Sequence, residues 1–131
     1  MFLRLGLKIG TQHVLIVQGR KTGRLRSTPV SLVTLDGHRY IVSADNLSWV
    51  RNARAAGTAE LLRGGRRERV RLSELAPTER GRVLRAFWFQ VRGGRRFIAR
   101  VFGLPANATA EDFEAAAPRC PVFRIDPLTD P

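Results

Sequence analysis

Val30-Ser31-Leu32-Val33-Thr34-Leu35-Asp36-Gly37-His38-Arg39-Tyr40-Ile41-Val42-Ser43 is the stretch that decides the fold. Two β-prone runs, Val30–Leu35 and Arg39–Ser43, flank Asp36-Gly37, a dipeptide that favours the type I′ turn joining antiparallel strands. The same grammar recurs where Thr58–Leu62 and Arg67–Leu72 flank Gly64-Gly65. In the latter run Arg67, Arg69 and Arg71 share one face while Val70 and Leu72 point the other way. That alternation describes a half-buried strand with a basic outer surface. Strands joined by tight hairpins favour an antiparallel sheet over a doubly wound parallel one, which needs long crossovers.

Outward from the hairpins, His13–Val17 is a further apolar run, and Pro121–Ile125 reads as a closing strand, placed near a sheet edge by its proline. Asn46–Ala56 reads as a short helix, started by Asp45 or Asn46 and ended by Gly57. Trp49, Asn52, Ala53 and Ala56 fall on one face of it, so Asn52 needs a polar partner there. Pro77 opens a longer helix whose apolar stripe is Val83, Leu84, Phe87, Trp88 and Val91. Gly93-Gly94 breaks that helix, and a second piece carries Phe97, Ile98, Val101 and Phe102. Thr109 and Asp112 form a capping pair for a third, Ala110–Ala117, stopped by Pro118. The expectation is an α+β, mainly β domain: about six mostly antiparallel strands closing into a small barrel, with inserted and C-terminal helices.

A chain of 131 residues fits one domain, 1–131, and buries a core without disulfide or metal staples. Its formal net charge is +12, and every cation except Lys8 and Lys21 is arginine. Such a balance calls for an acidic partner: a polyanionic small molecule, a nucleic acid or an anionic membrane. Cys120 is the only cysteine, so no intrachain disulfide forms, and His13, His38 and Cys120 stand too far apart in sequence to suggest a metal site. Residues 1–11 form a short basic-apolar segment, with Phe2, Leu3, Leu5, Leu7 and Ile9 among Arg4 and Lys8. It is too short and too charged to span a bilayer and has no signal-peptide cleavage pattern, so a cytoplasmic protein is expected. A short helix covering the core is the plainer reading of this segment; peripheral contact with an anionic membrane is the alternative.

The remaining motif is Gly19-Arg20-Lys21-Thr22-Gly23-Arg24-Leu25-Arg26-Ser27, followed by Thr28-Pro29. Cations, flexible glycines and hydroxyls crowd into one connection between apolar runs. Glycine lets amides turn toward a ligand, and arginine and lysine satisfy phosphate or carboxylate oxygens. The stretch lacks the Gly-Lys-Ser/Thr ending of a P-loop, and no G-x-G-x-x-G follows a strand. A solvated basic hairpin loop is the competing reading.

Three segments in order, Gly19–Pro29, Tyr40–Ser43 and Trp49–Gly57, together with the closing Phe113–Ile125, resemble the deazaflavin-dependent nitroreductase family over residues 12 to 126. The resemblance implies a split β-barrel oxidoreductase using the deazaflavin coenzyme F-420. It implies that Arg20, Lys21, Thr22, Gly23, Arg26 and Thr28 surround the coenzyme's phosphate and polyglutamate tail. It further implies that Ser43, Ala44 and Asp45 lie along the ring, with Trp49 and Asn52 completing the pocket. Ser43 is the hydroxyl expected nearest the acceptor, with Tyr40 a second candidate. A serine at a strand end commonly bonds the backbone instead, and Tyr40 has a core role as its alternative. The C-terminal half has no tyrosine; Phe87, Trp88, Phe89, Phe97 and Phe102 stand there instead, which favours an apolar acceptor such as a quinone or enone over a nitroimidazole. Two other readings stay open: a related split barrel holding FMN, and a nucleic-acid-binding module. The second has no aromatic residues interleaved with its arginines, and no helix-turn-helix or zinc finger. The protein is expected as a monomer or homodimer.

Overall fold

The computed structural model describes residues 12–43, 47–91 and 95–128. Six strands, β1 (Gln12–Gln18), β2 (Leu25–Leu35), β3 (His38–Val42), β4 (Thr58–Arg63), β5 (Arg66–Glu74) and β6 (Val122–Pro127), close into a barrel in the order β1-β2-β3-β6-β5-β4. Every pairing is antiparallel. The β2–β3 hairpin turns through Asp36 at φ 54° and Gly37 at φ 79°, the double positive φ that a type I′ turn demands. Leu35 pairs with His38 across it.

Helix α1 (Ser48–Ala56) connects β3 to β4 and plugs one end of the barrel. Gly57 ends it in the left-handed conformation, its N–H bonded to the Ala53 carbonyl. Val50 and Ala53 join Leu15, Val17, Leu32, Ile41, Val70 and Phe123 in the core inside the barrel. The residue ahead of the helix is Leu47, which makes no side-chain cap bond; Asp45 and Asn46 lie outside the described residues. At the opposite end a bidentate pair bridges β3 and β5 across β6, Arg39 Nη1 and Nη2 donating to Glu68 Oε1 and Oε2 at 2.9 and 2.8 Å.

A second core lies outside the barrel, between the outer face of β2, β3 and β6 and the helices α2 (Gly81–Gln90), α3 (Arg95–Val101) and α4 (Ala110–Ala116). Val33, Tyr40 and Val122 from the sheet meet Leu84, Phe87, Phe102 and Phe113 there. Each fully buried Leu, Ile or Phe side chain contributes about 2 kcal/mol of apolar burial. The Thr109–Asp112 capping box forms as read from sequence. Gln90 completes β2 beyond Ser31: its side-chain amide accepts from the Thr34 N–H at 3.2 Å and donates to the Thr34 carbonyl at 2.8 Å, as a neighbouring strand would.

Several expectations change. β6 is not near an edge, because it pairs with both β3 and β5; Pro121 precedes the ladder, so its missing N–H removes no sheet bond. Pro77 opens only a 3-10 turn, Pro77–Glu79, and α2 starts at Gly81. Arg80, between them, is pinned by its own side chain. Val101 faces solvent on α3 instead of joining the core, which takes Phe102. The third helix ends at Ala116 and gives way to a 3-10 turn, Ala117–Arg119, at Pro118. Residues 1–11 and the Gly93-Gly94 break lie outside the described residues, and the side chain of Phe97 is likewise not described.

Arg80 is 7% exposed and joins the two cores. Its Nε donates to the Leu75 carbonyl at 3.0 Å, Nη1 to the Pro118 and Cys120 carbonyls at 3.2 Å each, and Nη2 to Glu74 Oε2 at 3.1 Å. Removing it takes this donor from three carbonyls and leaves Glu74 with Arg54 alone. Arg80→Ala is expected to cost about 3–5 kcal/mol in urea unfolding, from the carbonyls left without their donor, whereas Arg82→Ala two residues away, in a solvent-exposed pair with Asp36, is expected to cost within about 1 kcal/mol. Equal losses would remove Arg80 from this role.

Candidate functional site

The basic motif folds differently from a nine-residue loop. β2 begins at Leu25, so Arg26 and Thr28 stand on the strand and only Gly19–Arg24 form the connection. The reason is register: Val17 pairs with Arg26 and Leu15 with Thr28, extending the ladder past the apolar residues that mark it in sequence. Arg26 and Thr28 therefore share the face of Leu15, Val17 and Val30, which points into the barrel, at the end that α1 covers.

The connection is a closed turn. The Gly19 N–H donates to the Arg24 carbonyl at 2.7 Å, and the Gly23 N–H donates back to the Gly19 carbonyl at 2.9 Å. Gly23 sits at φ +77°, where a side chain would strain the backbone. Thr22 Oγ1 accepts from the Arg24 N–H at 3.2 Å. The turn is fastened to α1 by Asn52, 3% exposed, whose Oδ1 accepts from the Arg20 N–H at 3.1 Å and from Arg20 Nη1 at 2.7 Å. That is the partner Asn52 requires. The amides of Gly19, Arg20, Gly23 and Arg24 are thereby spent inside the fold. What the turn offers a ligand is the amides of Lys21 and Thr22, the Lys21 ammonium and the Arg20 N–H groups not used on Asn52.

Beside this turn lies a cleft of about 230 Å³ lined by Val17, Arg26, Ser27, Thr28, Leu47, Ser48, Trp49 and Asn52. One wall is cationic and hydroxylic, the other apolar. Trp49 is half-buried and leans on Phe123, ring centroids 5.8 Å apart at 46°. Such a cleft suits a flat ring with an anionic extension: Arg26 and Thr28 can meet oxygen, and Trp49 can pack on a ring face.

Of the residues singled out from sequence, Arg26, Thr28, Trp49 and Asn52 meet in this cleft, Arg20 reaches it through Asn52, and Lys21, Thr22 and Gly23 form the adjoining turn. Ser43 stands at the same barrel end, 4% exposed, its Oγ donating to the Pro121 carbonyl at 3.0 Å. Tyr40 is on the other face of β3, buried in the helical layer, where it borders a separate cleft of about 470 Å³ with Glu79, Arg82 and Arg124. Ala44 and Asp45 lie outside the described residues. Sequence reasoning passed over Ser27, Leu47 and Ser48; the two residues ahead of Trp49 were recoverable, since the first turn of a plugging helix must face the barrel mouth.

α1 is held by a charge network no motif announced. Arg54 Nε and Nη2 donate to Glu74 Oε1 and Oε2 at 2.8 Å each, and Arg80 shares Oε2. The Arg54 hydrogen bond, then the charges of Arg54 and Arg80, hold the Glu74 carboxyl below the usual carboxylate range against the opposing cost of its partial burial.

A family profile described as "F420H(2)-dependent quinone reductase" matches residues 4–93. No curated protein matches the sequence. Among solved structures, an F420-H2 Dependent Reductase (FDR-A) is 20% identical with a TM-score of 0.54, over 88% of this chain and 94% of its own. The conserved hypothetical protein Rv2991 from Mycobacterium tuberculosis is 14% identical with a TM-score of 0.63, over 90% of this chain and 73% of its own. An Agrobacterium tumefaciens protein of unknown function, 14% identical with a TM-score of 0.60, matches 92% of this chain, which spans only 50% of that protein. These likenesses establish the fold as a split β-barrel.

Two outcomes follow from the geometry. Asn52→Leu is expected to cost about 1–3 kcal/mol, from the buried acceptor removed, and to speed hydrogen exchange at the Arg20 amide selectively; unchanged exchange there would break the link between turn and helix. For Glu74, a depressed folded-state pKa means its contribution is full above the ordinary carboxyl value of 4.5 and is lost as pH falls through the lowered value. Acid unfolding of Glu74→Gln should therefore be shallower than wild type below pH 4.5, and identical profiles would contradict the assignment.

Proposed function

The chain belongs to the F-420-dependent quinone reductase family, and we propose that it reduces a small apolar, electron-poor acceptor at the cleft between β2 and α1. A quinone is the favoured acceptor class, with enones and nitroaromatics as further members. The observation that carries this reading is the cleft itself: Arg26 and Thr28 on one wall, Trp49 on the other, and the Arg20–Asn52 lock holding the cationic turn at its rim.

When bound, the reduced deazaflavin supplies the hydride. The chain's own contribution is binding, orientation and exclusion of water. Lys21, Arg26, Thr28 and the unspent N–H groups of Arg20 meet the phosphate and carboxylates of the coenzyme by charge-assisted hydrogen bonds. Trp49 and Val17 give the ring an apolar seat, with Leu47 beside them. Ser43 acts by fixing the exit of β3 at the barrel mouth, since its hydroxyl is committed to Pro121. The resemblance also sets Ala44 and Asp45 beside the ring. Tyr40, enclosed under the helices, has no part in this reading.

FMN also carries a phosphate, so the cationic turn alone would serve either cofactor; the family match favours the deazaflavin. The test is a titration of Trp49 and Trp88 fluorescence with coenzyme F-420 and, in parallel, FMN. Lys21→Ala with Arg26→Ala leaves the Arg20–Asn52 lock in place and is expected to weaken F-420 binding about tenfold to a hundredfold, or about 1.5–3 kcal/mol. Unchanged affinity would remove these residues from the site, and binding of FMN alone would overturn the cofactor.

A further inference from the structure

We propose that the α2–α3 face carrying Phe89, Arg96 and Arg100 docks the protein on an anionic lipid bilayer. Phe89 is 52% exposed and Val101 44%, two of the three large apolar side chains left open to solvent among the described residues. Arg96 and Arg100 project from α3 one turn apart, both exposed, and neither has a hydrogen-bond or ion-pair partner among the described residues. The first turn of α3 is fixed against the last turn of α2. Arg95 Nε donates to the Trp88 carbonyl at 2.8 Å, and its guanidinium stacks 3.4 Å from the centre of the Trp88 ring. Trp88 in turn meets Phe89 edge to face, centroids 4.9 Å apart. Phe89 is thus linked through Trp88 and Arg95 to the helix that carries Arg96 and Arg100.

Charge selects the occupant. No acidic residue stands anywhere between Glu79 and Glu111 in the sequence. Arg85 lies over the Phe89 ring, 5.7 Å from its centre, but adds no free charge to the docking set, because Glu111 and Glu114 pair with it at 3.2 and 3.7 Å. An exposed aromatic side chain at the end of one helix and two exposed, unpaired arginines on the next have the composition of an interfacial anchor. A protein partner would need an acidic, apolar-centred patch of matching shape; an anionic bilayer supplies both chemistries without one. None of the described helices is long and apolar enough to cross a membrane, so contact at this face is peripheral. The inference deepens the reductase reading, since a quinone acceptor partitions into lipid. It is tested without coenzyme or turnover, so the two fail separately.

The experiment is sedimentation of the full chain with phosphatidylserine-rich vesicles and with pure phosphatidylcholine vesicles. Arg96→Glu with Arg100→Glu is compared with Arg63→Glu and Arg71→Glu on the β4–β5 hairpin, a control that changes net charge by the same amount. Binding is expected to the anionic vesicles only, to fall with added salt, to drop about tenfold or more in the α3 pair, and to persist in the hairpin pair. Phe89→Ser should weaken binding in a way that added salt does not reproduce. Equal losses in the two charge-reversed pairs would show generic attraction to a cationic protein and overturn the assignment, as would the absence of binding to anionic vesicles at low salt. Thermal unfolding of each variant separates loss of docking from loss of fold, and all the altered side chains lie at the surface.

Discussion

The carboxylate of Glu74 is the point on which the three parts of this molecule converge. It ends β5, receives Arg54 from the helix that plugs the barrel, and receives Arg80 from the entry to the helical layer. One anion between two cations leaves a net positive charge in a partly desolvated place, which is tolerable because Arg80 also donates to the Leu75, Pro118 and Cys120 carbonyls. A partly buried ion network of this kind adds little to stability over an apolar substitute, but removing its buried member, Arg80, is costly. Its consequence is geometric. The plug, β5 and the second core cannot shift independently, so the cleft beside α1 inherits a fixed outline from contacts that never touch a ligand.

The cleft draws its two characters from two different periodicities. The alternation of β2 puts Arg26 and Thr28 on the barrel-facing side of the strand, beyond the point where apolar residues end. The helical repeat of α1 sets Trp49 and Asn52 on the face that closes the mouth. A strand supplies the polar wall and a helix the aromatic one, and Asn52 ties the basic turn to the helix so that both walls keep their spacing. Ser43 shows the same economy of polar groups: its N–H and its hydroxyl both go to the Pro121 carbonyl, joining the exit of β3 to the entry of β6.

Hairpins were legible because their signals are local. Asp36-Gly37 specifies its own turn, and the alternation of Arg67 to Leu72 specifies its own burial. The place of β6 was not legible, since a strand's neighbours depend on barrel closure, and Pro121 looked like an edge marker only because its position just outside the ladder cannot be read from composition. The split of the basic motif between turn and strand was hidden for a related reason: polar residues continue a ladder that apolar residues begin. Arg80 was the hardest to see. In a chain this rich in arginine, one more cation after Pro77 carries no mark of burial, and only the convergence of one nearby carbonyl and two distant ones reveals it. Of the cleft's lining, Arg26, Thr28, Trp49 and Asn52 had been singled out by resemblance and by spacing, whereas Ser27, Leu47 and Ser48 had not, and Tyr40 shows the limit of reading a strand without knowing which of its faces is the barrel interior.

Gln90 has an effect that reaches beyond the single molecule. The amide at the end of α2 occupies both backbone groups of Thr34 that point away from β3. A strand edge with its donors and acceptors open is a template for another chain, and crowded proteins recruit one another along such edges. Here an incoming chain finds the hydrogen-bonding positions of Thr34 taken by a side chain of the same protein. One glutamine thus acts as a safeguard against strand-by-strand self-association, at a place where a mixed α/β surface would otherwise leave the sheet unfinished.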